Sequence, residues 1–204
     1  MIKFENVEIK YINDFSCLYN FNATIDSNTL FIGDEFVGSN AIMRILAKVD
    51  KHYSGNVFID ETDIKTIKDK DLSIAYIPNK PELFLNKSLY TNLAYPLKIR
   101  KFNKNYIKNE VNSAIFKYKL NNFSKKAKSM NLNERKIITL VRAILRKPKY
   151  ILLEHFFEDL DSDYVDLTTN ILADAKEFAT IIACEKQNLK LPQFENFKVI
   201  NLNK

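Results

Sequence analysis

Apolar residues fall along this chain at two spacings, and the switching between them marks out its elements. Short apolar runs, or runs with every second residue apolar, at 2–9, 18–25, 29–32, 56–59, 72–77, 150–153, 180–184 and 198–202 read as strands. Between them lie stretches with apolar residues three and four apart, the repeat of a helix that buries one face. Ile42, Ile45, Leu46 and Val49 form one such set, and Leu89, Leu93 and Leu97 form another within 88–100. A third, over 106–120, carries Ile107, Val111, Ala114, Ile115 and Tyr118. The fourth, over 131–146, carries Ile137, Ile138, Val141 and Leu145. It opens with Asn131 and Glu134 at capping-box spacing and stops before Pro148. A last helix is expected over 161–179. Pro96 predicts a kink in helix 88–100, because its ring nitrogen has no proton to donate to the preceding turn.

The first two strands flank a polar turn at Asn13 and Asp14 and are expected to pair antiparallel. Beyond them, apolar strands alternate with helices, the pattern of a mainly parallel sheet covered on both faces. Ligands of such sheets sit at the carboxyl ends of the strands. Gly33, Asn79, Glu154 and Glu185 all fall at such ends.

The turn between strand 29–32 and its helix carries the first candidate chemistry. Gly33 and Gly38 bracket Asp34, Glu35, Phe36 and Val37 as G-x-x-x-x-G, the outline of a loop that points backbone N–H groups at a phosphate. That motif continues with Lys and then Ser or Thr. Here the two positions are Ser39 and Asn40. Two unit charges about 4 Å apart attract by roughly 4 kcal/mol at an effective dielectric of about 20. A triphosphate held without the lysine is therefore expected to bind weakly, and Asp34 and Glu35 add charge of the wrong sign. Asn40 could still offer a carbonyl oxygen to a cation. An ordinary strand–turn–helix with two turn glycines would give the same pattern.

Composition narrows the class. With 204 residues and 46% apolar content, one globular domain with a large core is expected. No apolar run approaches the roughly 20 residues that span a bilayer, and the first residues lack a signal-peptide pattern. Cys17 and Cys184 have no metal-ligand spacing and read as buried free thiols of a cytoplasmic protein. The net charge of +6 is unevenly distributed. Residues 98–149 hold sixteen Lys and Arg against two acids, and the rest holds fifteen against twenty-three, a net of −8. Such a basic segment could face anionic lipid headgroups or nucleic acid. A lysine-rich solvated helical surface would look the same.

Taken in order, the segments resemble an ATP-binding-cassette (ABC) nucleotide-binding domain over nearly the whole chain. IKFENVEIKY resembles that family's first strand and puts Tyr11 at the adenine-stacking aromatic. SGNVFIDETDIKTI resembles its SGxIxxDGxDI segment, with Glu61 where glycine is usual, and IAYIPNKPELF its Q-loop segment, with Asn79 for glutamine. SLYTNLAYPLKIR matches the helix bordering the groove for a transporter's coupling helix. RAILRKPKYILLE resembles the run into Walker B, and DLD at 159–161 the D-loop ending. The resemblance implies an α/β fold: a P-loop NTPase-like, mainly parallel sheet with an N-terminal antiparallel β part and an inserted helical subdomain. The expected division is a body of 1–84 and 148–204 and a helical subdomain of 85–147.

The departures gather where the family does its chemistry. Met130, Asn131, Leu132, Asn133 and Glu134 stand for the signature LSGGE, so both glycines are replaced. Side chains at Leu132 and Asn133 are expected to obstruct the approach of backbone to a nucleotide. Glu154 stands at the Walker B aspartate, and with Asn40 and Asn79 it makes up the residues on the metal side. His155 stands at the catalytic glutamate and Glu185 at the switch histidine. Read by themselves, these positions have plainer roles. His155 suits a partly exposed structural histidine, although histidine can act as a base near neutral pH. Asn131 and Glu134 suit a helix cap, and Tyr11 suits sheet packing.

The resemblance thus implies a degenerate ABC subunit with impaired or absent hydrolysis and at most weakly bound ATP and magnesium. It would serve as a structural or regulatory partner of a membrane permease or of an active ABC ATPase subunit. Its expected place is the cytoplasm, at the inner face of the cell membrane and near its anionic surface. Pairing with an identical or a different cassette fits equally. One alternative is a working ATPase with atypical residues: Glu154 for the metal, His155 as base, and Lys48, Lys80 or Lys186 supplying the cation. Another, disfavoured, is a nucleic-acid-associated protein using 98–149, which would need Phe102, Tyr106 and Phe116 interleaved with lysines on one surface.

Overall fold

The computed structural model describes residues 1–10, 16–33, 38–123, 125–187, 191 and 194–202. In chain order the elements are β1 (Ile2–Lys10), β2 (Ser16–Ile25), β3 (Thr29–Ile32), α1 (Ser39–Leu46), β4 (Ser54–Ile59), β5 (Thr62–Asp63) and β6 (Ile74–Ile77). There follow α2 (Leu89–Ile99), α3 (Lys104–Lys117), α4 (Leu132–Ile144), β7 (Tyr150–Glu154), α5 (Ser162–Lys176), β8 (Thr180–Glu185) and β9 (Lys198–Asn201). Two single 3-10 turns, Leu120–Asn122 and Ala127–Ser129, lie between α3 and α4. None of the described helices is long and apolar enough to cross a membrane.

One compact unit comprises Met1–Tyr76, Lys149–His155 and Thr180–Lys204. It holds an antiparallel sheet ordered β2-β1-β4-β5, with Ile2 opposite both Ile25 and Ile59. The second sheet runs β6-β7-β8-β3-β9, and β7, β3 and β9 are joined by parallel pairings on either side of β8 and β3. The α/β class, with its antiparallel opening and largely parallel main sheet, is borne out. Two-residue β5 escaped the sequence pattern because it is too short to show a period. The core is built where the pattern placed it: Ile2, Phe4, Phe31, Ile42, Leu46 and Leu152 are all fully buried. Each such side chain contributes about 1.5–3 kcal/mol relative to an exposed position.

Gly55 decides how β4 lies against β1. Its φ is +79°, and a Cβ there would stand 2.3 Å from the carbonyl oxygen of Asn6. At the far end of β4, Asp60 accepts hydrogen bonds from the amine of Met1 (2.8 Å), Lys149 Nζ (2.6 Å) and Tyr150 Oη (3.1 Å). Partial burial opposes ionisation of this carboxyl, but the three donors outweigh it and hold the pKa at about 2.

The other unit comprises Ile77–Pro148 and Phe156–Ala179 and takes in most of the basic stretch. Helices α2 and α3 start on side-chain caps: Ser88 accepts from the Thr91 N–H, and Asn103 from the Tyr106 N–H. The helix α2 continues through Pro96, and Asn92, one turn earlier, is fully buried with its amide bonded to the backbone of Phe84 and Ser88. Lys117 and Tyr118 at the end of α3 both reach Asp174 of α5, at 2.8 and 2.7 Å. The last helix ends at Lys176, three residues before the end that periodicity suggested.

Two outcomes are expected in unfolding experiments. Gly55→Ala should lower stability in urea by more than about 1 kcal/mol, because alanine meets both a left-handed φ and a backbone clash. For Asp60, the folded pKa lies below the unfolded value of about 3.9. Its contribution is therefore complete above that pH and is lost as pH falls through about 2. Acid titration of Asp60→Asn, followed by circular dichroism, should show a shallower fall over that window than the parent chain.

Candidate functional site

The first unit assembles its candidate site on the last two carbonyls of β8. The Gly33 N–H, just beyond β3, donates to the Glu185 carbonyl at 3.0 Å. The His155 N–H, just beyond β7, donates to the Cys184 carbonyl at 2.9 Å. The two turns are thereby held side by side at the carboxyl edge of the parallel sheet. Gly38 closes the loop with φ +90°, and its carbonyl accepts the Ile42 N–H at 3.0 Å to start α1. Asp34, Glu35, Phe36 and Val37, like Tyr11, lie outside the described residues.

The helix opens with the two residues that replace the lysine and hydroxyl. Ser39 is fully buried, and its hydroxyl lies 3.4 Å from Asn40 Oδ1. The same oxygen lies 2.6 Å from His155 Nε2. An amide oxygen has no proton to give, so Nε2 is the donor. His155 is 3% exposed and has φ +44°, a left-handed backbone in which histidine is enriched. The partly exposed histidine expected from sequence is thus buried, because its ring is drawn onto the start of α1. Glu185 is also buried, with a carboxylate oxygen within 4.8 Å of a His155 ring nitrogen.

Glu154, the last residue of β7, accepts a hydrogen bond from the Tyr76 hydroxyl of β6. Burial first, and then this bond and the charge of Glu154, push the Tyr76 phenol far above its ordinary pKa. It stays a proton donor at any physiological pH. Sequence reasoning passed over Tyr76. The available signal was a single hydroxyl-bearing side chain in the otherwise aliphatic strand Ile74–Ile77.

Asn40 and Glu154 offer the amide and carboxylate oxygens that suit a hard cation such as magnesium. Each, however, already receives protein protons: Asn40 from His155 and Ser39, Glu154 from Tyr76. A carboxylate has two oxygens, and the Tyr76 hydroxyl engages one of those of Glu154, so these bonds by themselves do not exclude a metal ion there. Lys48 is taken out of contention as a substitute cation. Its ammonium is bonded to the Ile67 carbonyl at 2.5 Å and paired with Asp69 at 3.2 Å. Lys186 is exposed after β8.

Asn79, Lys80 and the signature positions belong to the other unit. Asn79 occupies the bend after β6. The capping box is formed in full: Asn131 Oδ1 accepts from the Glu134 N–H at 2.8 Å, and Glu134 Oε2 from the Asn131 N–H at 3.0 Å. Met130 is buried beneath it. The obstruction expected of Asn133 is corrected. Its side chain folds inward, donating to Asp161 Oδ2 at 2.6 Å and accepting the Asp161 N–H at 3.0 Å. Leu132, 45% exposed, is left as the outward side chain of the two. Phe102 and Tyr106 stack on each other, with ring centres 4.7 Å apart, and Phe116 stands 83% exposed.

Comparison with known proteins follows the same geography. The ABC transporter family model matches residues 19–155. The glycerol-3-phosphate import ATP-binding protein UgpC of Yersinia enterocolitica is 28% identical over 134 residues, covering 65% of this chain and 37% of that protein. The molybdate/tungstate import ATP-binding protein WtpC of Methanocaldococcus jannaschii is 27% identical over 183 residues, covering 89% and 60%. The chain therefore spans between about a third and three-fifths of the length of these relatives. Among solved structures, the dimeric ATP-binding cassette MJ0796, in a post-hydrolysis state with ADP and Pi, superposes with a TM-score of 0.78 at 18% identity. That superposition covers 92% of this chain and 88% of the other. With the family model matched over more than half its length, on a fold that sets the same segments in the same order, this chain belongs to the ABC transporter family.

Proposed function

We propose that this chain is an ATP-binding subunit of an ABC transporter, working through a nucleotide site of atypical residues. One observation carries the reading: Gly33, Asn40, His155 and Glu185 come together at the carboxyl ends of β3, β7 and β8. In parallel α/β sheets that edge is where ligands bind, and the family resemblance puts the phosphate loop, Walker B and switch there. The triphosphate would lie against the first N–H groups of α1. A second cassette as partner is supported by the dimeric state of MJ0796. Exposed Phe84, Leu85 and Tyr95, beside the segment resembling the coupling-helix border, support a permease as the other. Such a partner would hold the chain at the inner face of a membrane, with its basic stretch toward anionic headgroups.

A second reading narrows the first to a subunit that holds nucleotide and turns over little of it. The feature favouring it is the filling of the chemical positions by groups already bonded to one another: buried Ser39 in place of a lysine, and His155 Nε2 committed to Asn40. A ring nitrogen that donates its proton there cannot at the same time accept one from water.

Equilibrium dialysis with labelled ATP and a phosphate-release assay on the purified chain separate the readings. Binding together with a turnover that His155→Ala abolishes is the result of the working-ATPase reading. Binding with a background rate, equal in the parent and in His155→Ala, is that of the second. A chain that retains no ATP even at cellular concentrations would end both.

A further inference from the structure

We propose that the turn between α2 and α3 docks this chain directly on an anionic bilayer, with Ile99 and Phe102 entering the headgroup layer and the surrounding cations facing lipid phosphate and carboxylate. The inference goes beyond the permease-held location proposed above, because the chain itself carries the contact. It concerns the helical unit alone and does not depend on whether the chain holds nucleotide.

The turn is short and tightly bonded. Helix α2 ends where Lys101 takes a left-handed backbone, φ +59°. The Phe102 N–H donates to the Leu97 carbonyl at 3.3 Å and the Lys101 N–H to the Lys98 carbonyl at 2.9 Å, the paired bonds of a Schellman motif. The next residue, Asn103, already caps α3 by accepting the Tyr106 N–H at 2.8 Å. The two helices therefore meet without slack, and the turn displays its apolar side chains instead of folding them away. Ile99 is 62% exposed and Phe102 42%.

Charge names the partner. Residues 98–109 carry Lys98, Arg100, Lys101, Lys104 and Lys108 and no Asp or Glu. All five are exposed, and among the described residues none of them is in a salt bridge. Arg100 keeps its charge while donating to the Arg146 carbonyl at 3.0 Å. Apolar side chains set among cations match the interface of an anionic bilayer, where acyl chains begin just below a layer of negative charge. Nucleic acid offers the same negative charge but engages side chains by stacking bases on aromatic faces. Phe102 and Tyr106 already stack on each other, which occupies one face of each ring. Ile99 has no ring to offer.

The chain contains no tryptophan, so Phe102→Trp places a single fluorescent reporter in the turn. The test titrates the full chain carrying this substitution with phosphatidylcholine vesicles, with the same vesicles containing phosphatidylserine, and with single-stranded and duplex DNA oligonucleotides, all at physiological salt. The proposal expects binding to the phosphatidylserine vesicles alone, with a blue shift of the emission and quenching by brominated acyl chains. Adding Lys98→Gln and Lys104→Gln should weaken that binding by about tenfold or more, since each cation near such a surface is worth roughly fivefold. Co-sedimentation of the parent chain with the same vesicles should reproduce the preference, and a parent that stays in solution overturns the proposal. Equal binding to the neutral vesicles, or tighter binding to either oligonucleotide, also overturns it. So does binding that leaves the emission unshifted or survives the two lysine substitutions undiminished.

Discussion

Two neighbouring peptide carbonyls, those of Cys184 and Glu185, hold the site together. They end β8, the strand flanked by β3 and β7 in parallel register. Each takes the first N–H that emerges from one of those flanking strands. Because parallel strands end at one edge, the turns after β3 and β7 leave the sheet together, and the His155 ring meets the first turn of α1. The chemistry of the side chains can change without disturbing this arrangement. The backbone bonds that impose it do not depend on which residues occupy positions 39, 40, 154 or 155.

That independence explains what could and could not be read from the sequence. Apolar periodicity reports burial, so the strands that carry the core, the α1 stripe of Ile42, Ile45 and Leu46, and the capping box at Asn131 were all legible. The order of segments gave the family. Side-chain partnerships across strands were not legible, because they depend on register rather than on spacing along the chain. Tyr76 reaches Glu154 across 78 positions, and Asn133 reaches Asp161 across 28. For the same reason Asn133, read as an obstacle at a glycine position, proved to be folded beneath the surface. His155 reads as a partly exposed histidine in sequence because its packing onto the start of α1 joins residues 115 positions apart.

At this edge Ser39 and Asn40 follow Gly38, where the phosphate-loop motif carries Lys and then Ser or Thr. A lysine ammonium and a metal ion are mobile, strongly solvated charges that must be desolvated and paired. Here the side chains at this edge are neutral: the fully buried Ser39 hydroxyl and the part-buried Asn40 amide and Tyr76 phenol. Such dipoles give direction at little desolvation cost, and they give less attraction for a highly charged ligand. The remaining positive charge is gathered instead in the helical unit, on side chains such as Lys98, Arg100, Lys101 and Lys104 around α2 and α3. That charge belongs to helices of the other unit, while Gly33, Asn40 and His155 belong to the first.

Cys184 sits in the strand on which both turns hang, in no disulfide and with its thiol fully buried. That thiol lies in the core cluster with Ile42, Ile45 and Leu46 of α1, so solvent reaches the sulfur only when this packing opens. Alkylation at this position therefore acts as an internal clock. Its rate counts openings of the packing between α1 and the sheet.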